Sequence, residues 1–169
     1  MRADPRRIAR SERGFFLIEA MVAILIFALG ILGLVAMGGT AVSSQSDAQY
    51  RTEASGLADA IAGEVALGID RTSQANKEAS LLNFAHQANP APSTLPAPCS
   101  FNGAAIDAAA APGVATLLNR GLGLPGATAA NQQIFVDAPG NFNRVVITLC
   151  WKTASDTAWR RHTLVTYVN

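Results

Sequence analysis

Catalytic and metal-binding side chains are scarce in this chain. It holds two cysteines and two histidines in 169 residues, and charged residues make up only 15%. With His86 and His162 as the sole imidazoles, Cys99 and Cys150 lack the companions that a tetrahedral zinc site needs. There is no G-x-S-x-G, no H-E-x-x-H, no glycine-rich phosphate loop after a strand and no framed pair of carboxylates. The expectation is therefore a chain that is not an enzyme and carries no cofactor or metal. Positive charge is short as well. The formal net charge is +1, but five arginines lie in the first 14 residues beside Asp4 and Glu12, so the remainder carries −2. That is too little to call for nucleic acid as a partner. Finally, no small-residue A-x-A site follows the long apolar run. A secretory signal is cut after its apolar segment and loses it; a cut at Gly14 would keep it.

The chain does possess that apolar run. After Glu19 come 23 residues without a charge, ending at Val42. At the helical rise they span about 35 Å, enough for a hydrocarbon core of about 30 Å. The preceding 14 residues carry a net charge of +3, which favours the cytoplasmic side and predicts a single pass with the N-terminus inside. Four parts follow: a leader over 1–14, a membrane helix over 15–42, an amphipathic continuation over 43–70 and an exported head over 71–169. A plain uncleaved signal anchor would need only charge and hydrophobicity, leaving Gly14 and Glu19 together unexplained. Gly30, Gly33, Gly38 and Gly39 interrupt the run. They serve either close helix packing or a softened segment, with the adjacent pair at 38–39 predicting a bend.

Beyond Thr40 the chain turns polar but keeps a helical period. Tyr50, Ala54, Leu57, Ile61, Val65 and Ile69 recur at spacings of three and four, the stripe of a helix lying on a core. From Phe15 to Ile69 this gives about 80 Å of helix. Residues 71–98 are rich in Ser, Asn, Gln, Ala and Pro, which predicts surface with one short helix over 78–86 and an extended stretch over 89–98. Pro112 opens a second short helix over 112–119, stopped by Gly121. The last third alternates in the manner of strands: 133–137, 142–151 and 159–168, separated by turns, form an antiparallel meander. Val145, Ile147, Leu149 and Trp151 share a face and are expected on Leu57, Ile61 and Val65. The fold class is α+β. Cys99 and Cys150 both follow the membrane helix. In an oxidising compartment they would join and close a loop of about 50 residues, worth about 4 kcal/mol; two buried thiols are the alternative. Arg144, Lys152, Arg160, Arg161 and His162 could gather as a basic patch or stand as an ordinary solvent face.

Gly14 followed by Phe15, with Glu19 as the fifth residue from Phe15, a basic leader before and an apolar helix after, resembles the prepilin signature of type IV pilins and type II secretion pseudopilins. The run Leu17-Ile-Glu-Ala-Met-Val-Ala-Ile-Leu-Ile, the segments Gly30-Ile-Leu-Gly-Leu and Tyr50-Arg-Thr-Glu-Ala-Ser-Gly-Leu-Ala, and near the end Leu122-Gly-Leu-Pro-Gly and Val145-Val-Ile-Thr-Leu-Cys-Trp are similar to PilV-type minor pilins. The resemblance implies a pilin-like fold, with the long helix packed on a small antiparallel sheet. It implies cleavage between Gly14 and Phe15 by a prepilin peptidase, N-methylation of Phe15, and docking of subunits through Glu19. Its partners would be that peptidase, other pilin subunits, the inner membrane and a pilus assembly platform. The protein would move from inner membrane to pilus fibre, supporting assembly, adhesion or twitching motility. A minor pseudopilin of type II secretion and a membrane-anchored binding module are the alternatives.

Overall fold

A computed structural model describes residues 13–92, 99–138 and 142–169. The leader up to residue 12, most of the proline-rich stretch (93–98) and the turn at 139–141 lie outside the described residues. Three helices and three strands follow in order: α1 (Arg13–Leu67), α2 (Gln74–Leu82), α3 (Pro112–Gly121), β1 (Gln132–Asp137), β2 (Arg144–Trp151) and β3 (Arg160–Tyr167). The chain divides into two compact units, residues 1–47 and 48–169. The first is the apolar part of α1. The second is an α+β head in which the rest of α1 packs on the sheet.

The sheet is a meander, β1-β2-β3, antiparallel throughout. Directly opposed residues share a face, so Gln132, Ile134 and Val136 stand with Leu149, Ile147 and Val145, and these with His162, Leu164 and Thr166. This is the inner face. Ala58, Ile61 and Val65 of α1 pack on Ile134, Val145, Ile147 and Leu149, with Leu57 at the margin and Leu81, Phe84, Val114 and Leu118 completing the core. The stripe read from helical spacing is thus the buried stripe. Fully burying each such Ile, Leu or Val contributes roughly 1.5 to 3 kcal/mol. Trp151 differs from expectation: it forms a second cluster with Ala54 and Leu124, flanked by Tyr50 and Ala127. The reason lies in the 122–126 turn. Gly126 holds φ +65°, and a Cβ there would meet the Lys152 carbonyl oxygen at 2.7 Å. Lys152 in turn donates its N–H to the Pro125 carbonyl at 2.7 Å. The turn is thereby laid against the end of β2, and Leu124 covers the indole.

Several element boundaries differ from the sequence reading, most of all at α1 and α2. α1 ends at Leu67 rather than near Asp70, because Gly68 passes so close to Phe84 that a Cβ would lie 2.7 Å from its ring. Asp70 then accepts from the N–H and hydroxyl of Thr72, turning the chain while Ile69 stays buried. The short helix lies at Gln74–Leu82, not 78–86. Ser73 fixes its start by accepting the N–H of Asn76 at 3.1 Å, and His86 is drawn away to pair with Ile134. The helix itself continues through Gly38 and Gly39.

Residues 86–92 and 99–102 cover part of the sheet's outer face. His86 and Ile134 exchange N–H···O=C bonds of 3.0 and 2.9 Å, closing the free edge of β1 at that point. Gln133, only 1% exposed, donates from Nε2 to the carbonyls of Gln87 and Pro90 at 3.0 and 2.9 Å. Cys99 is joined to Cys150 at an S–S distance of 2.05 Å, with Phe101 packed on the bond. Beneath this cover Val146, Thr148 and Cys150 are buried.

Candidate membrane anchor and docking segment

Every residue from Phe15 to Gln45 is exposed. The best 18-residue window of α1 has a mean hydropathy of 2.8 with none of it buried, and the helix is long enough to cross a membrane. Phe15, Phe16, Leu17, Ile18, Met21, Ile24, Phe27 and Leu32 are among the large apolar side chains presented. A soluble monomer's largest apolar patch covers a few hundred Å², so a band of this extent requires lipid or other apolar surfaces around it. Such a helix is compatible with single-pass anchoring. Two of its hydroxyls are bonded internally. Thr40 donates its hydroxyl to the Met37 carbonyl at 2.8 Å and Ser46 to that of Val42 at 3.1 Å, the back-bonding that lets hydroxyls sit in a helix without water.

Glu19 is the one ionisable side chain between Phe15 and Ser46. It sits four residues after Phe15, hence on the same helix face one turn along, and both are exposed. Gly14 lies within the described helix backbone, just before Phe15. A carboxylate placed in an otherwise apolar band finds no second charge on its own segment.

The remaining candidates lie in the head. The disulfide ties the loop over the sheet to the central strand. Of the basic residues, Arg144 pairs with Asp137 at 3.1 Å and Arg160 with Asp156 at 2.9 Å, so two of these side chains are locally offset. The Asp156 carboxyl is held well below the usual carboxylate range by Arg160 first, then by the Thr153 hydroxyl and N–H. Among the described residues no three His, Cys, Asp or Glu side chains gather as metal ligands.

Residue spacing gave no signal for His86, which is 4% exposed. Its Nε2 donates to the Ala129 carbonyl at 3.0 Å, while Nδ1 accepts the N–H of Ile106 at 3.1 Å. Acceptance at Nδ1 fixes the neutral tautomer, and burial pushes the imidazole below its ordinary range, partly countered by the Ala129 bond. Beside it opens a cleft of about 240 Å³ lined by Ile106, Ala115, Leu118, Leu122 and Gln132. Gln132 is also satisfied: its amide donates to the Cys150 carbonyl at 2.9 Å and accepts the Cys150 N–H at 3.3 Å, extending the ladder past the end of β1. His86 and Gln132 thus serve the fold. No family model, curated protein or solved structure matches the chain.

Proposed function

We propose that the chain is a minor pilin, a non-enzymatic structural subunit of a type IV pilus. It is cut after Gly14, methylated on the new terminus at Phe15, held in the inner membrane by residues 15–42, and incorporated into a filament in support of assembly, adhesion or motility. The observation that carries this reading is the single carboxylate of Glu19, one turn from Phe15 at the start of the exposed apolar part of α1. Burying a carboxylate in hydrocarbon costs about 2.5 to 3.5 kcal/mol at the bilayer centre and less toward the edge. Cleavage after Gly14 creates an amine on Phe15, and methylation leaves its positive charge. Glu19 of an incoming subunit then pairs with the terminal amine of a neighbour, so charge neutralisation occurs only in the docked register.

Mass spectrometry of surface filaments sheared from the producing cell tests the whole reading. The expected species begins with methylated Phe15 and is recovered with the fibre. A chain that keeps residues 1–14 in cells with an active prepilin peptidase would overturn it. Processed protein whose deletion abolishes exoprotein secretion while leaving pili intact would move the assignment to a type II pseudopilin.

A further inference from the structure

Asn102 is the only asparagine of the chain that is followed by glycine. Asparagine is a thermolabile residue, because the backbone nitrogen of the next residue can attack its side-chain carbonyl carbon. Surroundings decide whether that attack is open. Asn76 commits its side-chain amide to Thr72, Asn131 to Thr128 and Gly126, and Asn143 to Val168. After Asn83 the Phe84 nitrogen is bonded to the Leu81 carbonyl. Asn89 is followed by Pro90, which has no N–H to supply the nucleophile. Asn119 is followed by Arg120 inside α3, where the next nitrogen belongs to the helical ladder.

Asn102 has none of these protections. Its side chain is exposed, and among the described residues neither its amide nor the Gly103 N–H has a hydrogen-bond partner. The fold also insists on the glycine. Gly103 holds φ +127°, and a Cβ there would lie 3.1 Å from the Ala88 nitrogen, so a residue whose side chain would hinder the attack is refused.

We propose that Asn102 is a self-modification site, at which the head turns an asparagine into isoaspartate with age and so loosens the cover of its own sheet. The Gly103 nitrogen, having given its proton to hydroxide, bonds to Cγ of Asn102; the bond from Cγ to Nδ2 breaks, and Nδ2 leaves as ammonia. The product is a succinimide ring joining 102 to 103. Water then adds to one of the two ring carbonyls, and the bond from that carbon to the Gly103 nitrogen breaks. Opening at Cγ gives aspartate. Opening at the main-chain carbonyl gives isoaspartate, whose chain runs through Cγ and is longer by a methylene. One water is consumed and one ammonia released, with no change of oxidation state.

The isoaspartate branch acts on the cover. Asn102 and Asn89 exchange N–H···O=C bonds of 2.8 and 2.9 Å. In isoaspartate the Asn102 carbonyl that accepts the Asn89 N–H becomes a carboxylate outside the chain, and the residues after it shift by the added methylene. Ala104, whose carbonyl accepts the Gln87 N–H at 2.9 Å, is carried out of register. Both bonds hold the segment whose Gln87 and Pro90 carbonyls satisfy the buried Gln133. The inference concerns the head alone and does not depend on the pilus reading.

Mass spectrometry of the full chain in detergent micelles tests it. Protein aged at physiological temperature in mildly alkaline buffer is reduced, digested with trypsin and compared with an unaged sample treated in parallel. No Lys or Arg lies between Lys77 and Arg120, so one peptide carries Asn83, Asn89, Asn102 and Asn119 together. The expected result is the mass gain of NH2 replaced by OH at Asn102 and not at the other three, with isoaspartate methyltransferase labelling the product. Amide hydrogen exchange at Gln87 and Asn89 should then be faster in aged than in fresh protein. Asn102→Gln must close a larger, less favourable ring and should abolish both changes. Asn102→Asp carries the charge without the methylene and should leave exchange slow when freshly prepared. An aged chain with Asn102 intact would overturn the proposal, and so would conversion that leaves exchange at Gln87 and Asn89 unaltered. Fast exchange in fresh Asn102→Asp would overturn the register account in favour of charge.

Discussion

His86 links the cover of the sheet to pH. Its folded form is neutral, with Nδ1 already accepting from Ile106, and its pKa lies below that of an unfolded imidazole. Below about 6.5 the unfolded chain takes up a proton that the folded chain resists. The contribution is therefore complete above pH 6.5 and is lost as pH falls through the lowered folded value. Asp156, also depressed, contributes above the ordinary carboxylate range and is lost only in stronger acid, so the two windows separate. Thermal melts of the full chain should show stability declining between pH 7 and 5, and His86→Gln should flatten that interval at some cost in overall stability. At Glu19 the expected outcome concerns partition. Glu19→Gln keeps nearly the same shape and removes the charge, so the protein should be cleaved and stable in membranes but depleted from sheared filaments. Quantifying both fractions against wild type checks this, and equal partitioning would assign Glu19 no more than a favourable place in the first turns of its own helix, worth about 0.3 to 1 kcal/mol.

At the scale of elements, the helices of the head owe their places to single side chains. α3 begins with Pro112 and has no side-chain cap at Ala111. The Glu64 carboxylate of α1 instead lies against Gly113 in its first turn, where an anion is favoured by the helix dipole. Glu64→Ala should cost about 0.3 to 1 kcal/mol by this route. Ile61→Ala, at a fully buried position between α1 and the sheet, should cost about 2 to 5 kcal/mol. Denaturant titration of both variants tests the ranking, and a Glu64 effect as large as that of Ile61 would contradict it. The same contrast explains what was legible beforehand. The stripe from Ala54 to Val65 and the alternation of β2 announce themselves because burial of apolar residues follows the helical and strand periods. The start of α2 did not, because one Ser73 hydroxyl sets it. The role of Gln133 was equally hidden: a polar residue in an edge strand looks solvent-facing until residues 87–90 are found lying over it. His86 reads as the end of a short surface helix for the same reason.

For the molecule as a whole, the disulfide spans a sequence separation of 51 residues and joins the cover to the central strand. Closing a loop of that length restricts the unfolded chain by about 4 kcal/mol, a large share of the stability of a domain this size. Reduction of the full chain in detergent should therefore lower its melting temperature by about 10 °C or more, and alkylation of natively exported, unreduced protein should find no free thiol. The Thr40 and Ser46 hydroxyls, bonded back to their own helix, bear on a different property. Transfer of residues 15–42 from lipid to any other apolar surroundings breaks no side-chain hydrogen bond of Thr40, the one hydroxyl there, so nearly all of this stretch is indifferent to which medium holds it. Glu19 alone distinguishes the two. On the pilin reading proposed above, the free-energy difference between a resident of the bilayer and a member of an assembly would be concentrated at one carboxylate, and a single counter-charge supplied there would set the direction of travel.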